Sequence, residues 1–204
     1  MDGVGDNHGQ PDGILLWILL VGGHTVLFGL ALVWFWATNS WPDLSFSDPV
    51  RFLTQGFALT AFLITCVLAA DRALPQQIAV LNRTMVEFWG SIGINLSFPV
   101  ILGLSLMAGL AEEIFFRGAL QTAFISWSSV WVGVFAASLI FGLGHALSWY
   151  YFLFTFGFGL IFGVAYVWFG DLRPVILAHF VYDIWAFLRL RRLIRQRDAA
   201  QTQS

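Results

Sequence analysis

The sequence predicts an all-α polytopic membrane protein, a helical bundle of about six transmembrane helices around an intramembrane polar cavity. Three observations carry that prediction. Of the 204 residues, 58% are hydrophobic and only 11% charged, whereas soluble domains carry about 25% charged residues. The apolar residues fall into runs near the roughly 20 residues that a helix needs to cross a bilayer. The few ionisable groups inside those runs recur at helical spacing, as groups lining one polar interior would.

The elements follow in order. Residues 1–12 are polar, acidic and expected to be flexible. They lack the positive start of a secretory signal, so the run at 14–37 is expected as a retained span. A second span is expected at 52–70 and a third at 98–125. The forty residues 130–169 are too long for one crossing and are predicted to fold back near Ser148, giving spans four and five. The sixth covers 175–190. Pro-containing breaks at 39–49, 71–77 and 170–174 separate these runs. Residues 78–97 fit an interfacial helix or the lead-in to span three. The chain therefore divides into 1–12, a 13–97 unit of two spans plus an interfacial segment, a 98–190 transmembrane core, and a basic tail at 191–204.

All ten basic residues are arginine. Arg72 and Arg83 follow the second run, and Arg189 to Arg197 follow the last, so the positive-inside rule places both regions and both termini in the cytoplasm. Trp36, Trp41, Trp89, Trp149 and Trp168 fall near run ends, where an interfacial belt is expected. Membrane lipid is the expected surroundings. A net charge of −2, with no basic patch before the tail, gives no reason to expect nucleic acid. The single cysteine, Cys66, cannot form an intrachain disulfide.

Between Phe88 and Gly170 the only charged residues are Glu112, Glu113 and Arg117. Glu113 and Arg117 stand four apart, acid first, and can pair along a helix. Glu112 is rotated by about 100° and has no such neighbour. It must face a wet cavity or be protonated, and either state suits a general acid or base. A later run offers Phe141 and His145, and the last offers His179 and Asp183, each pair again four apart. His24 has no acid near it in sequence and is expected to be structural. His8 carries no signal, and Asn95 is expected to be a hydrogen-bonding link between helices.

Three known intramembrane protease designs are absent. No His-Glu-x-x-His occurs, no Gly-x-Ser-Gly loop occurs, and Asp171 and Asp183 lack the order and glycine pattern of an aspartyl pair. The remaining constellation is Glu112-Glu113-x-x-x-Arg117, then Phe141-x-x-x-His145, then His179-x-x-x-Asp183. In that order on successive hydrophobic segments, it resembles the CAAX protease and bacteriocin-processing family, the family of CAAX endopeptidases and bacterial Abi-type proteins. The resemblance spans about 98–190. It implies a glutamate-dependent intramembrane endopeptidase of a prokaryotic cytoplasmic membrane, working without metal or cofactor. The implied substrates are prenylated tails, leader peptides or C-terminal sorting tags.

On that resemblance Glu112 takes the proton of an attacking water and His145 positions the water. His179 and Asp183 stabilise the oxyanion, while Glu113 and Arg117 brace the helix. Asp183 departs from the asparagine usual in CAAX-processing members. An ionised carboxylate cannot donate to an oxyanion, so Asp183 must be protonated or act by orienting His179. Two other readings stay open: a non-catalytic immunity or binding protein, and a zinc hydrolase with Glu112, His145 and His179 as ligands. A straight six-span drawing also puts Glu112, His145 and His179 at different depths, so the helices must be tilted, broken or differently bounded to bring them together.

Overall fold

A computed structural model describes residues 13–45 and 48–202, and the segment 1–12 expected to be flexible lies outside them. Among the described residues every regular element is helical. They are α1 (Gly13–Thr38), α2 (Pro49–Ala73), α3 (Pro75–Ile92), α4 (Phe98–Glu113), a π-helical stretch (Ile114–Gln121), α5 (Thr122–Trp127), α6 (Val130–Gly144), α7 (Trp149–Phe169) and α8 (Arg173–Thr202). All six apolar runs are therefore helices. Four of the helical stretches are long and apolar enough to cross a membrane: 17–38, α2, the continuous 98–127, and α7.

Local chemistry sets the boundaries. Asp48 accepts the Arg51 amide ahead of α2, and Pro49 opens that helix, where no amide hydrogen is needed. Ser129 and Ser148 cap α6 and α7 in the same way, which fixes the expected fold-back at Ser148. Gly170 ends α7 with φ +63°, a conformation costly for other residues. The break expected at 71–77 narrows to Leu74 alone, because Pro75 starts α3 at once. α3 is a separate helix and not a lead-in to α4. Asn95 lies in the connector after it, outside any helix.

The outer faces are apolar. Trp36 and Trp168 are about four-fifths exposed, and an aqueous fold would not leave such a surface bare. The chain is an integral membrane protein. Trp89 departs from the expected belt: it is buried, with its ring 5.0 Å from Phe187 in a T-shaped contact between α3 and α8.

Inside, α8 packs on α2 and α4, and α6 packs on α7. Small residues permit the closest approaches. A Cβ at Gly109 would stand 3.1 Å from the Phe180 amide nitrogen and 3.2 Å from the Ile176 carbonyl oxygen. α4 and α8 thus meet backbone to backbone, as helices without a hydrophobic drive to associate must do.

Candidate active site

The sequence EEIFFRG places two carboxylates where α4 passes into the π-helical stretch. Both are buried, Glu113 completely and Glu112 to 5% exposure. Arg117 Nη1 donates to Glu113 Oε1 at 2.8 Å, the i,i+4 pair expected from spacing. Burying a guanidinium is costly unless its remaining donors and its charge are met. Nη2 of Arg117 donates to the Gly159 carbonyl at 3.2 Å. The guanidinium also lies over the rings of Phe141, at 4.6 Å, and Phe162, at 5.2 Å. One turn on, Gln121 Nε2 donates to the Gly163 carbonyl at 3.0 Å. Side chains four apart on the π-helical stretch thus hold carbonyls four apart on α7.

Glu113 has a second role that its sequence spacing does not show. Its Oε1 also lies 2.6 Å from His179 Nδ1 on α8. Carboxylate oxygen accepts, so Nδ1 carries the hydrogen and Nε2 of His179 is turned the other way. That atom stands 3.9 Å from Glu112 Oε2 and 3.6 Å from Asp183 Oδ2. The His179 ring stacks on Phe162 at 5.0 Å, which fixes its plane.

His145, just past the end of α6, donates from Nδ1 to the Phe141 carbonyl at 2.8 Å and presents Nε2 3.8 Å from Glu112 Oε1. The depth mismatch of the straight drawing is absent because α6 has only 15 residues, about 22 Å. It stops short of a full crossing of about 30 Å, so His145 reaches the level of Glu112 at the tip of the α6–α7 hairpin.

His24, expected to be structural and without an acid near it, instead meets Glu112. Its Nε2 lies 2.9 Å from Glu112 Oε1, and its Nδ1 donates to the Leu20 carbonyl at 2.7 Å. Glu112 and His24 are 88 residues apart, so no local spacing could reveal the pair. A usable signal existed all the same: a histidine in the middle of an apolar span is itself a polar group needing a partner. Tyr151, also absent from the expected set, lies beside His145 with ring centroids 6.4 Å apart.

His24, Glu112, His145, Tyr151, His179 and Asp183 line one cavity of about 750 Å³, together with aromatic side chains such as Phe116, Phe154 and Trp185. The ion pair of Asp71 and Arg189, with contacts of 2.7 and 2.8 Å, also borders it. Glu112, His145 and His179, the trio weighed as zinc ligands, do face one another. Among the described residues, however, no three His, Cys, Asp or Glu side chains have the arrangement of a metal site.

Fold and site together define a class: an all-helical integral membrane protein with a buried centre of carboxylates and histidines. Residues 94–185 match the family model described as type II CAAX prenyl endopeptidase Rce1-like. The stretch holds every motif residue from Glu112 to Asp183, but not His24. The uncharacterized protein YpbD of Bacillus subtilis (strain 168) is 36% identical over 90 residues, which are 43% of this chain and 43% of that protein. The chain thus aligns with less than half the length of that curated relative. No solved structure matches it.

Proposed function

We propose that the protein is an intramembrane endopeptidase in which Glu112 activates water against a peptide bond near a membrane-anchored or C-terminal segment of its substrate. The observation that carries this reading is the separation of the two glutamates. Glu113 is committed to Arg117 and His179, whereas Glu112 faces the cavity beside the Nε2 atoms of His145 and His179 at 3.8 and 3.9 Å. Those gaps exceed a direct hydrogen bond and suit a shared water.

In this mechanism the Nε2 lone pair of His145 accepts a hydrogen bond from the water, and Glu112 takes its other proton as the oxygen attacks the carbonyl carbon. His179 carries protons on both nitrogens and donates from Nε2 to the oxyanion, which is usually a large catalytic contribution. Asp183 stays a carboxylate and supports the charge on His179; it does not donate to the oxyanion. Glu112 then gives its proton to the leaving amine as the C–N bond breaks. Membrane lipid surrounds the site, and the apolar lining of the cavity suits a lipid-modified or otherwise apolar peptide. Prenylated tails, leader peptides and C-terminal sorting tags are the candidate substrates.

The test uses the chain reconstituted in lipid vesicles with a quenched peptide ending in a prenylated cysteine and three further residues, beside leader and sorting-tag peptides. Glu112→Gln is expected to lower the cleavage rate by at least about 10²-fold with folding intact, and chelators are expected to leave the parent unaffected. Cleavage retained by Glu112→Gln would defeat the mechanism. Activity lost to a chelator would put a metal hydrolase in its place. Biological activity surviving Glu112→Gln, His145→Ala and His179→Ala alike would make the protein a binding factor.

A further inference from the structure

Three histidine rings converge on Glu112, and they are held in a common way. Each has its Nδ1 hydrogen engaged elsewhere: His24 on the Leu20 carbonyl, His145 on the Phe141 carbonyl and His179 on Glu113. Each therefore turns Nε2 toward Glu112, at 2.9, 3.8 and 3.9 Å respectively. Only His24 is within hydrogen-bond range.

That geometry constrains the protons. A carbonyl oxygen can only accept, so Nδ1 of His24 bears a hydrogen. In a neutral ring Nε2 would then offer only a lone pair, and a lone pair does not approach a carboxylate oxygen to 2.9 Å. A proton must lie between the two atoms. Other ionisable groups face the same space: His179 and Asp183 on α8, and His145 at the tip of the α6–α7 hairpin. Glu113 is already matched by Arg117, whereas Glu112 and Asp183 face histidines and no arginine.

We propose that His24, on a helix outside the segment shared with the protease family, is a positioning residue for the catalytic carboxylate: it carries the proton between them, holding Glu112 ionised and oriented toward the water. The inference rests on Glu112 being the base. It makes α1 part of the machinery and not a passive anchor, because the ring is set in the middle of a helix whose outer face is bare.

The protonation can be read without a substrate. Histidine is labelled with ¹⁵N in the full-length chain, reconstituted in lipid vesicles and studied by solid-state NMR near neutral pH. The His24 signal is identified by its loss in His24→Gln, or, should that variant fail to fold, by its loss in His24→Leu. It is expected to be that of a ring protonated on both nitrogens. In Glu112→Gln it is expected to become that of a neutral ring protonated on Nδ1 alone. A neutral His24 in the parent, or a ring unmoved by Glu112→Gln, would overturn the proposal. On the quenched peptide, His24→Leu is expected to lower kcat about 10-fold or more, with KM little changed and His24→Gln less affected, since an amide can still donate. Equal kcat in parent and His24→Leu would also overturn it. Cleavage by Glu112→Gln would defeat the protease mechanism separately, since the NMR result does not depend on it.

Discussion

Among the described residues Arg117 is the largest side chain buried almost completely, and it is held by a carboxylate, a carbonyl and two aromatic rings. Removing the guanidinium takes one of two cationic partners from the buried Glu113 carboxylate, the other being His179. Arg117→Met is therefore expected to cost about 3–5 kcal/mol, read as a fall in thermal unfolding in detergent. Glu113→Gln combined with Arg117→Met removes both charges and is expected to recover much of that loss. A double variant no more stable than Arg117→Met would show that the rings and the Gly159 carbonyl, not the ion pair, dominate. At this scale the sequence was legible wherever partners lie one helical turn apart. Glu113 with Arg117 could be read directly, and so could the isolation of Glu112 on its own helix. The bond from Glu113 to His179 and the bond from Glu112 to His24 could not, since they join residues 66 and 88 apart and depend on how whole helices dock.

Those dockings are decided by a few glycines. Gly109 brings α4 against the α8 backbone at the level of Ile176 and Phe180, one turn from Glu112 and Glu113 and beside His179. Gly103 lies on the same helix but faces open space. Gly109→Ala is expected to cost about 1–3 kcal/mol and to lower activity, because the added methyl pushes apart the helices that carry Glu113 and His179. Gly103→Ala is expected to be neutral or to gain up to about 1 kcal/mol of helix stability. Thermal unfolding and cleavage rate read both variants, and equal behaviour of the two would refute the close-approach argument. The helices themselves were visible as apolar runs with caps and prolines at their ends. The π-helical stretch was not, because its register answers to α7: Arg117 and Gln121 reach carbonyls 42 residues away. Gly142, Gly159 and Gly163 permit close approach in the same way, whereas Gly144 and Gly157 face open space.

At the scale of the whole molecule the helices sort the arginines onto two ends. Arg51 donates to the Phe169 carbonyl and shares a pocket with Arg173, so the start of α2, the end of α7 and the start of α8 lie together. There burial opposes ionisation of Asp171, but its bonds to Arg173 outweigh this and hold its carboxyl below the usual range. At the other end Arg189 grips Asp71, which brings the end of α2 beside the C-terminal half of α8. Arg191 donates to the Leu96 carbonyl ahead of α4, and Trp17 and Leu20 of α1 pack on a cluster shared by α3, α4 and α8. This second end therefore gathers Arg72, Arg83 and the arginines from 189 to 197, while the first holds Arg51 and Arg173. The positive-inside rule counts charges near span ends, and the excess here is one-sided. The second end, with the start of α1 and the C-terminal end of α8, is expected in the cytoplasm. A fluorescent protein fused after residue 204 should then fold and fluoresce, and a periplasmic reporter enzyme fused at that point should stay inactive. The same reporter inserted between α1 and α2, at the end holding Arg51, should be active. The reverse pattern would invert the molecule in the bilayer and move the α6–α7 tip, which carries His145, to open toward the other side.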